Sequence, residues 1–143
     1  MQNKIRGNKG FTLAELAIAL SVGAIVLAML ALSIFYLHKA FYNSDYVNNS
    51  LTEYNSVKTQ ICDAVASWQE QGLEVKRQSE NSVAGLNMGE QKHIIQNTDN
   101  SLALDGEQLL TFNYISSLGF FAIGGNIVVK VVFTNNEQMQ FII

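Results

Sequence analysis

The sequence predicts an α+β protein: one long N-terminal helix, half membrane segment and half amphipathic, packed on a small C-terminal antiparallel sheet. Three observations carry this reading. An uninterrupted apolar run fills Leu16 to Leu37. An apolar stripe then recurs at helical spacing from Val47 to Trp68. The last third alternates apolar and polar residues between turns built from Gly, Asn and Asp. With 143 residues and one membrane-length segment, there is room for one soluble domain of about 70–100 residues.

The apolar run holds 22 residues, enough for a helix to cross roughly 30 Å of hydrocarbon. Lys4, Arg6 and Lys9 lie ahead of it, an asymmetry that predicts a cytoplasmic N-terminus and an extracytoplasmic location after Leu37. A secretory signal has a shorter apolar stretch, about 7–15 residues, closed by a small-residue cleavage site on its far side. Here the run leads straight into more helical sequence, and the plausible cut is on the near side, at Gly10. Glu15 is the anomaly. An acidic residue inside such a segment costs about 2.5–3.5 kcal/mol at mid-helix and less near the end, so this carboxylate calls for a partner.

Beyond the membrane the helical period continues. Val47, Leu51, Tyr54, Val57, Ile61, Val65 and Trp68 recur at steps of three and four and form one stripe, with Asp45, Glu53, Lys58, Asp63 and Glu70 on the other sides. Gly72 predicts the stop, so the helix runs to about residue 71. Cys62 lies on it as a buried or half-buried thiol, and as the single cysteine it excludes an internal disulfide. Residues 72–100 are polar and irregular and read as a connecting segment, with one short strand at His93-Ile94-Ile95.

Residues 101–143 predict the sheet, of four or five strands. Asp105-Gly106 between Leu102–Leu104 and Gln108–Phe112 is a hairpin signal, because both turn positions need φ > 0. Gly124-Gly125-Asn126 marks a second turn and Thr134-Asn135-Asn136 a third. A three-residue loop with Asn136 in the left-handed region aligns Ile127, Val129, Val131 and Phe133 with Met139, Phe141 and Ile143 on one face; a two-residue loop would set Phe133 opposite Gln138.

Lys9-Gly10-Phe11-Thr12-Leu13-Ala14-Glu15-Leu16 followed by the apolar run resembles the processing site of type IV pilins and pseudopilins. The resemblance covers about the first 30 residues. It implies that a prepilin peptidase cuts between Gly10 and Phe11 and methylates the new Phe11 amine. Glu15 then stands at the fifth mature position, where the family carries its glutamate. It further implies a charge pair between Glu15 and the Phe11 amine of a neighbouring subunit, since breaking such a pair in low dielectric is costly. The implied organisation is a cleaved cytoplasmic leader, 1–10; a transmembrane and filament-core half-helix, 11–38; and an extracytoplasmic pilin-like domain, 39–143. The implied partners are the prepilin peptidase, other pilin-like subunits and an inner-membrane assembly platform, with the protein in the cytoplasmic membrane and, after processing, in a surface pilus or pseudopilus. The family's major subunits often carry a kinking proline in the apolar segment; this chain has no proline, which points to a minor subunit.

Little chemistry accompanies these features. His38 and His93 have no second histidine or cysteine at ligand spacing, which argues against a metal site. Nucleophile-elbow, phosphate-loop and calcium-loop patterns are missing, so the sequence predicts no catalytic residue, cofactor or small-molecule substrate. Asp99, Asp105 and Glu107 read as turn and surface residues. The net charge is −3, and loss of Lys4, Arg6 and Lys9 takes it to −6, with Lys76-Arg77 the one adjacent basic pair after the membrane. That disfavours nucleic-acid binding. The competing reading is an unrelated single-pass, membrane-anchored extracytoplasmic binding domain whose Glu15 sits hydrated at the interface.

Overall fold

The computed structural model describes residues 11–143. They divide after Ser44 into two compact units, and helix α1, Leu13–Glu70, contributes to each. In the first unit every described residue is exposed, including Leu20, Ile25, Leu30 and Phe35. A helix apolar on all sides is a membrane span or a core element, and α1 is long and apolar enough to cross a membrane by length and composition. Ser21 and Ser33 turn their hydroxyls back to the carbonyls of Ala17 and Met29, at 2.8 and 2.9 Å, so neither presents an unsatisfied donor.

The second unit places the rest of α1 against eight antiparallel strands. The helix ends as Gly72 requires: its φ of 74° is the left-handed region. Leu73 N–H donates to the Trp68 carbonyl at 2.9 Å and Gly72 N–H to Gln69 at 3.0 Å. This pair of bonds is the Schellman arrangement, and Leu73 adds its usual apolar contact by packing on the core.

Strands β1 (Glu74–Ser79), β2 (Ser82–Asn87), β3 (Glu90–Thr98), β4 (Ser101–Leu104) and β5 (Glu107–Thr111) form one sheet in chain order. Strands β6 (Ile115–Ile123), β7 (Asn126–Phe133) and β8 (Gln138–Ile142) form another. Two expectations are corrected here. The segment 72–100 is not an irregular connection with one short strand; it contains the whole of β1, β2 and β3, and the strand expected at His93-Ile94-Ile95 is the middle of β3. Its polarity misleads because β1 is exposed at every position except Val75, while Ser82–Gly85 of β2 is buried throughout and built from small side chains. Gly85 is small for a reason: a Cβ there would lie 3.0 Å from Trp68 Cδ2 and 3.2 Å from Leu73 Cδ1. Nor is there a single sheet of four or five strands. The chain changes sheets between Thr111 and Ile115.

Glu53 holds that crossing. Its carboxylate accepts N–H bonds from Asn113, Tyr114 and Ile115, the shortest at 2.9 Å. Three successive donors on one carboxylate form an anion-binding concavity of the kind backbone turns provide. The two sheets also meet along β6. Arg77 Nε–H donates to the Phe120 carbonyl at 2.6 Å, Phe120 N–H donates to the Glu80 carbonyl at 2.7 Å, and Asn97 donates to the Leu118 carbonyl at 2.6 Å.

The predicted turns appear where the turn chemistry places them. Asp105 and Gly106 have φ of 52° and 87°, Gly124 and Gly125 are both positive, and Asn136 is at 67°. Val131 pairs with Met139 and Val129 with Phe141, the register of the three-residue loop. The helix stripe needs one correction. Tyr54, Val57, Ile61, Val65 and Trp68 are buried, but Val47 is 53% and Leu51 43% exposed; the buried face begins at Ser50. One core cluster joins this face to Val83, Ile95 and Leu102 of the first sheet and Leu118, Phe120, Val129 and Val131 of the second. Cys62 is a free, half-buried thiol at its margin.

Replacing Glu53 by Ala strands three backbone donors, so Glu53→Ala should lower stability by about 1–3 kcal/mol. Lys58→Ala, one turn on and exposed, should change it by less than about 0.5 kcal/mol. Urea unfolding followed by Trp68 fluorescence measures both.

Candidate functional site

Of the residues singled out for processing and assembly, Gly10 and the leader lie outside the described residues. Phe11 is described and is 85% exposed. Thr12 precedes the first helical residue, Leu13, and its carbonyl accepts the N–H of Leu16 at 3.1 Å, opening the helical ladder.

Glu15 has a partner within its own chain. Its Oε2 accepts the Thr12 N–H at 2.9 Å and the Thr12 hydroxyl at 2.9 Å, while Glu15 N–H donates to Thr12 Oγ1 at 3.2 Å. Thr12 is thus the N-cap and Glu15 the third helical residue of a reciprocal capping box. Thr-x-x-Glu ahead of an apolar run is legible in the sequence, and it supplies the local partner that the membrane cost of Glu15 calls for. A carboxylate in the first turn also faces the positive end of the helix dipole. The arrangement fixes the start of α1 at Leu13 and holds Glu15 four residues along the chain from Phe11.

A second titratable constellation lies in the other unit. The His93 ring stacks on Trp68 with centroids 5.9 Å apart and planes 11° from parallel. His93 Nδ1 lies 2.7 Å from Asp105 Oδ2, and because an ionised carboxylate only accepts, Nδ1 carries the proton. Asp105 Oδ1 accepts the Ile94 N–H at 2.8 Å. Partial burial of Asp105 works against its charge, but the His93 and Ile94 hydrogen bonds outweigh it and hold the carboxyl below its ordinary range. The sequence placed Asp105 in a turn; the structure gives it that turn and a histidine as well. With a single histidine and a single carboxylate, this stack clamps the β4–β5 turn to the helix end rather than forming a ligand set. Among the described residues no group of three or more His, Cys, Asp or Glu is placed to hold a metal ion.

Comparison with known proteins bears on the N-terminal site. Residues 5–31 match the family described as the prokaryotic N-terminal methylation motif. The match takes in Arg6, Lys9, Gly10, Phe11, Thr12 and Glu15 with the apolar run as far as Ala31, and leaves the sheets outside it. No curated protein and no solved structure matches the chain.

The Asp105 shift fixes the sign of a pH dependence. A carboxyl whose folded pKa is depressed adds stability that is complete above its unfolded value, about 3.9, and is lost as pH falls through the folded value. Unfolding free energy should therefore drop on acidification below about pH 4. Asp105→Asn, which tolerates the positive φ, should remove part of that drop. Urea titrations of both proteins over the acid range, read by Trp68 fluorescence, test this.

Proposed function

We propose that this chain, which carries the prepilin-type N-terminal motif of type IV pilin-like proteins, is a minor pilin or pseudopilin subunit. In this reading it enters the cytoplasmic membrane once, N-terminus inside, is cut between Gly10 and Phe11 by a prepilin peptidase and N-methylated on Phe11. It then assembles with other pilin-like subunits on an inner-membrane platform. The observation that carries it is the motif match over residues 5–31, continuous with a helix whose first part, as far as Ser44, is exposed on every side and holds the membrane-length apolar run. Pilin-type proteins are structural rather than catalytic, in keeping with a domain whose charged constellations are clamps.

Cleavage would turn the Phe11 nitrogen into a charged amine. A neighbouring subunit's Glu15 can meet it once helices pack side by side, and in low dielectric an opposite charge recovers much of the burial cost. The capping box favours a second role: Glu15 already satisfies Thr12 of its own helix. The two roles separate chemically, because glutamine at this position keeps a capping box but carries no charge.

Processing is tested by mass spectrometry of the mature protein, which should begin at a methylated Phe11. Gly10→Val adds a branched side chain where the peptidase must fit extended backbone, and should leave the leader attached. Recovery of a mature chain that begins at Met1 or after Leu32, in a host with an active peptidase, would overturn the reading.

For Glu15, both Glu15→Leu and Glu15→Gln should insert and be cleaved as the parent is. If the charge pair governs assembly, both should enter filaments poorly, as measured by the ratio of sheared-filament to membrane protein. Full incorporation of Glu15→Gln with loss in Glu15→Leu assigns the residue to helix capping alone.

A further inference from the structure

In the sheet ordered β6-β7-β8, β6 is tied to the neighbouring sheet through Arg77, Glu80 and Asn97. β8 is the opposite edge. Phe133 N–H donates to Glu137 and Ile143 N–H to Ile127, and hydrogen-bonded pairs alternate along an antiparallel ladder. Residues 139 and 141 therefore bond to β7, whereas Gln138, Gln140 and Ile142 turn their N–H and C=O groups outward. Of these, the Gln140 carbonyl takes the Tyr54 hydroxyl at 3.4 Å; the others have no protein partner among the described residues.

Exposed edges are ordinarily blunted by charge, proline or a bulge. The first sheet follows that rule: β1 carries Glu74, Lys76 and Arg77 and a register shift between Arg77 and Ser79. By contrast, β8 reads Gln-Met-Gln-Phe-Ile, with neither charge nor proline, and its pairing with β7 runs without a shift. Beside it lies a groove of about 290 Å³ lined by Val47, Leu51, Phe133, Glu137 and Met139 among others. Val47, Leu51 and Met139 are 53%, 43% and 39% exposed. Met139 shares its strand face with Phe141, whose ring meets Tyr54 of the helix at 5.9 Å. A strand added beside β8 would direct every second side chain to that same face, over Val47 and Leu51. Glu137 is the charged residue lining the groove, and it makes no ion pair among the described residues.

We propose that the outer edge of β8 docks an extended strand of another polypeptide, with apolar side chains at every second position and a basic residue at the end that meets Glu137. Backbone pairing with Gln138, Gln140 and Ile142 supplies affinity, and the Val47–Leu51–Met139 groove selects the alternate side chains. This rests on the unit Asp45–Ile143 and does not depend on the filament reading above.

The test uses the full chain in detergent micelles and an acetylated, amidated heptapeptide with lysine first, valine at alternate positions and threonine between. Hydrogen exchange should show saturable binding that slows the amides of Gln138, Gln140 and Ile142 about tenfold or more, with those of β1 unchanged. Gln140→Pro removes an outward N–H that the β7 ladder does not use, and should abolish the protection. Met139→Lys puts a charge into the groove and should weaken binding about tenfold; it reads the same question if the proline variant fails to fold. The proposal is overturned by absent or unsaturable protection, by protection undiminished in Met139→Lys, or by equal slowing of β1. Slow exchange at the three amides without peptide, relieved on dilution, would overturn it in favour of a second copy of this chain.

Discussion

Burial of one helix face, from Ser50 to Trp68, is the interaction on which the rest of the described domain depends. Two small antiparallel sheets share it, and sheets of so few strands need a packed face for independent stability. Tyr54 packs on Phe133 and Phe141 of the three-stranded sheet, while Trp68 packs over Gly85 of the five-stranded one. Between them Ile61 and Val57 are fully buried. Each of these side chains contributes about 1.5–3 kcal/mol on burial, and no hydrogen-bonded ladder runs from one sheet to the other. The shared helix face, with the few bonds between β6 and the first sheet, makes one domain of the two.

Polar side chains act at the places where that packing starts, turns or crosses. Three carboxylates do so by accepting backbone N–H groups: Glu15 at the helix start, Glu53 at the crossing between sheets, Asp105 in the β4–β5 turn. By contrast the Lys–Glu ion pairs, Lys76–Glu74 and Lys92–Glu90, are well exposed and of the kind that contributes little. For Glu15 the cap also bears on the proposed subunit assembly. An intersubunit pair with the Phe11 amine would add to a cap already formed, so the carboxylate would be oriented before any neighbour arrives.

Lacking proline, the chain makes its tight turns with residues that accept positive φ. Gly106, Gly124 and Gly125 do this without strain, and Asp105 and Asn136 with little. Met88, at φ 51° and fully exposed beside Gly89, is the unusual member. It sits where β2 must reverse into β3, and the two-residue loop requires the conformation whatever the side chain.

Sequence alone determined the features that depend on local or periodic chemistry. They are the long apolar helix, its stop at Gly72, the hairpin turns of the last third and the N-terminal motif with Glu15 in register. Each follows from a residue type that only one backbone conformation or one solvent suits. Tertiary structure decided what depends on partners distant in the chain. Strands β1 and β2 were hidden because β1 faces water and β2 is buried through small residues, so neither shows a period of two, whereas β3 was legible at His93-Ile94-Ile95. Glu53 looked like one more solvated helix residue; its three donors lie about sixty positions away. Val47 and Leu51 fit the helical stripe perfectly well, yet remain exposed, because periodicity reports which face of a helix is apolar and not how far the sheet above it extends.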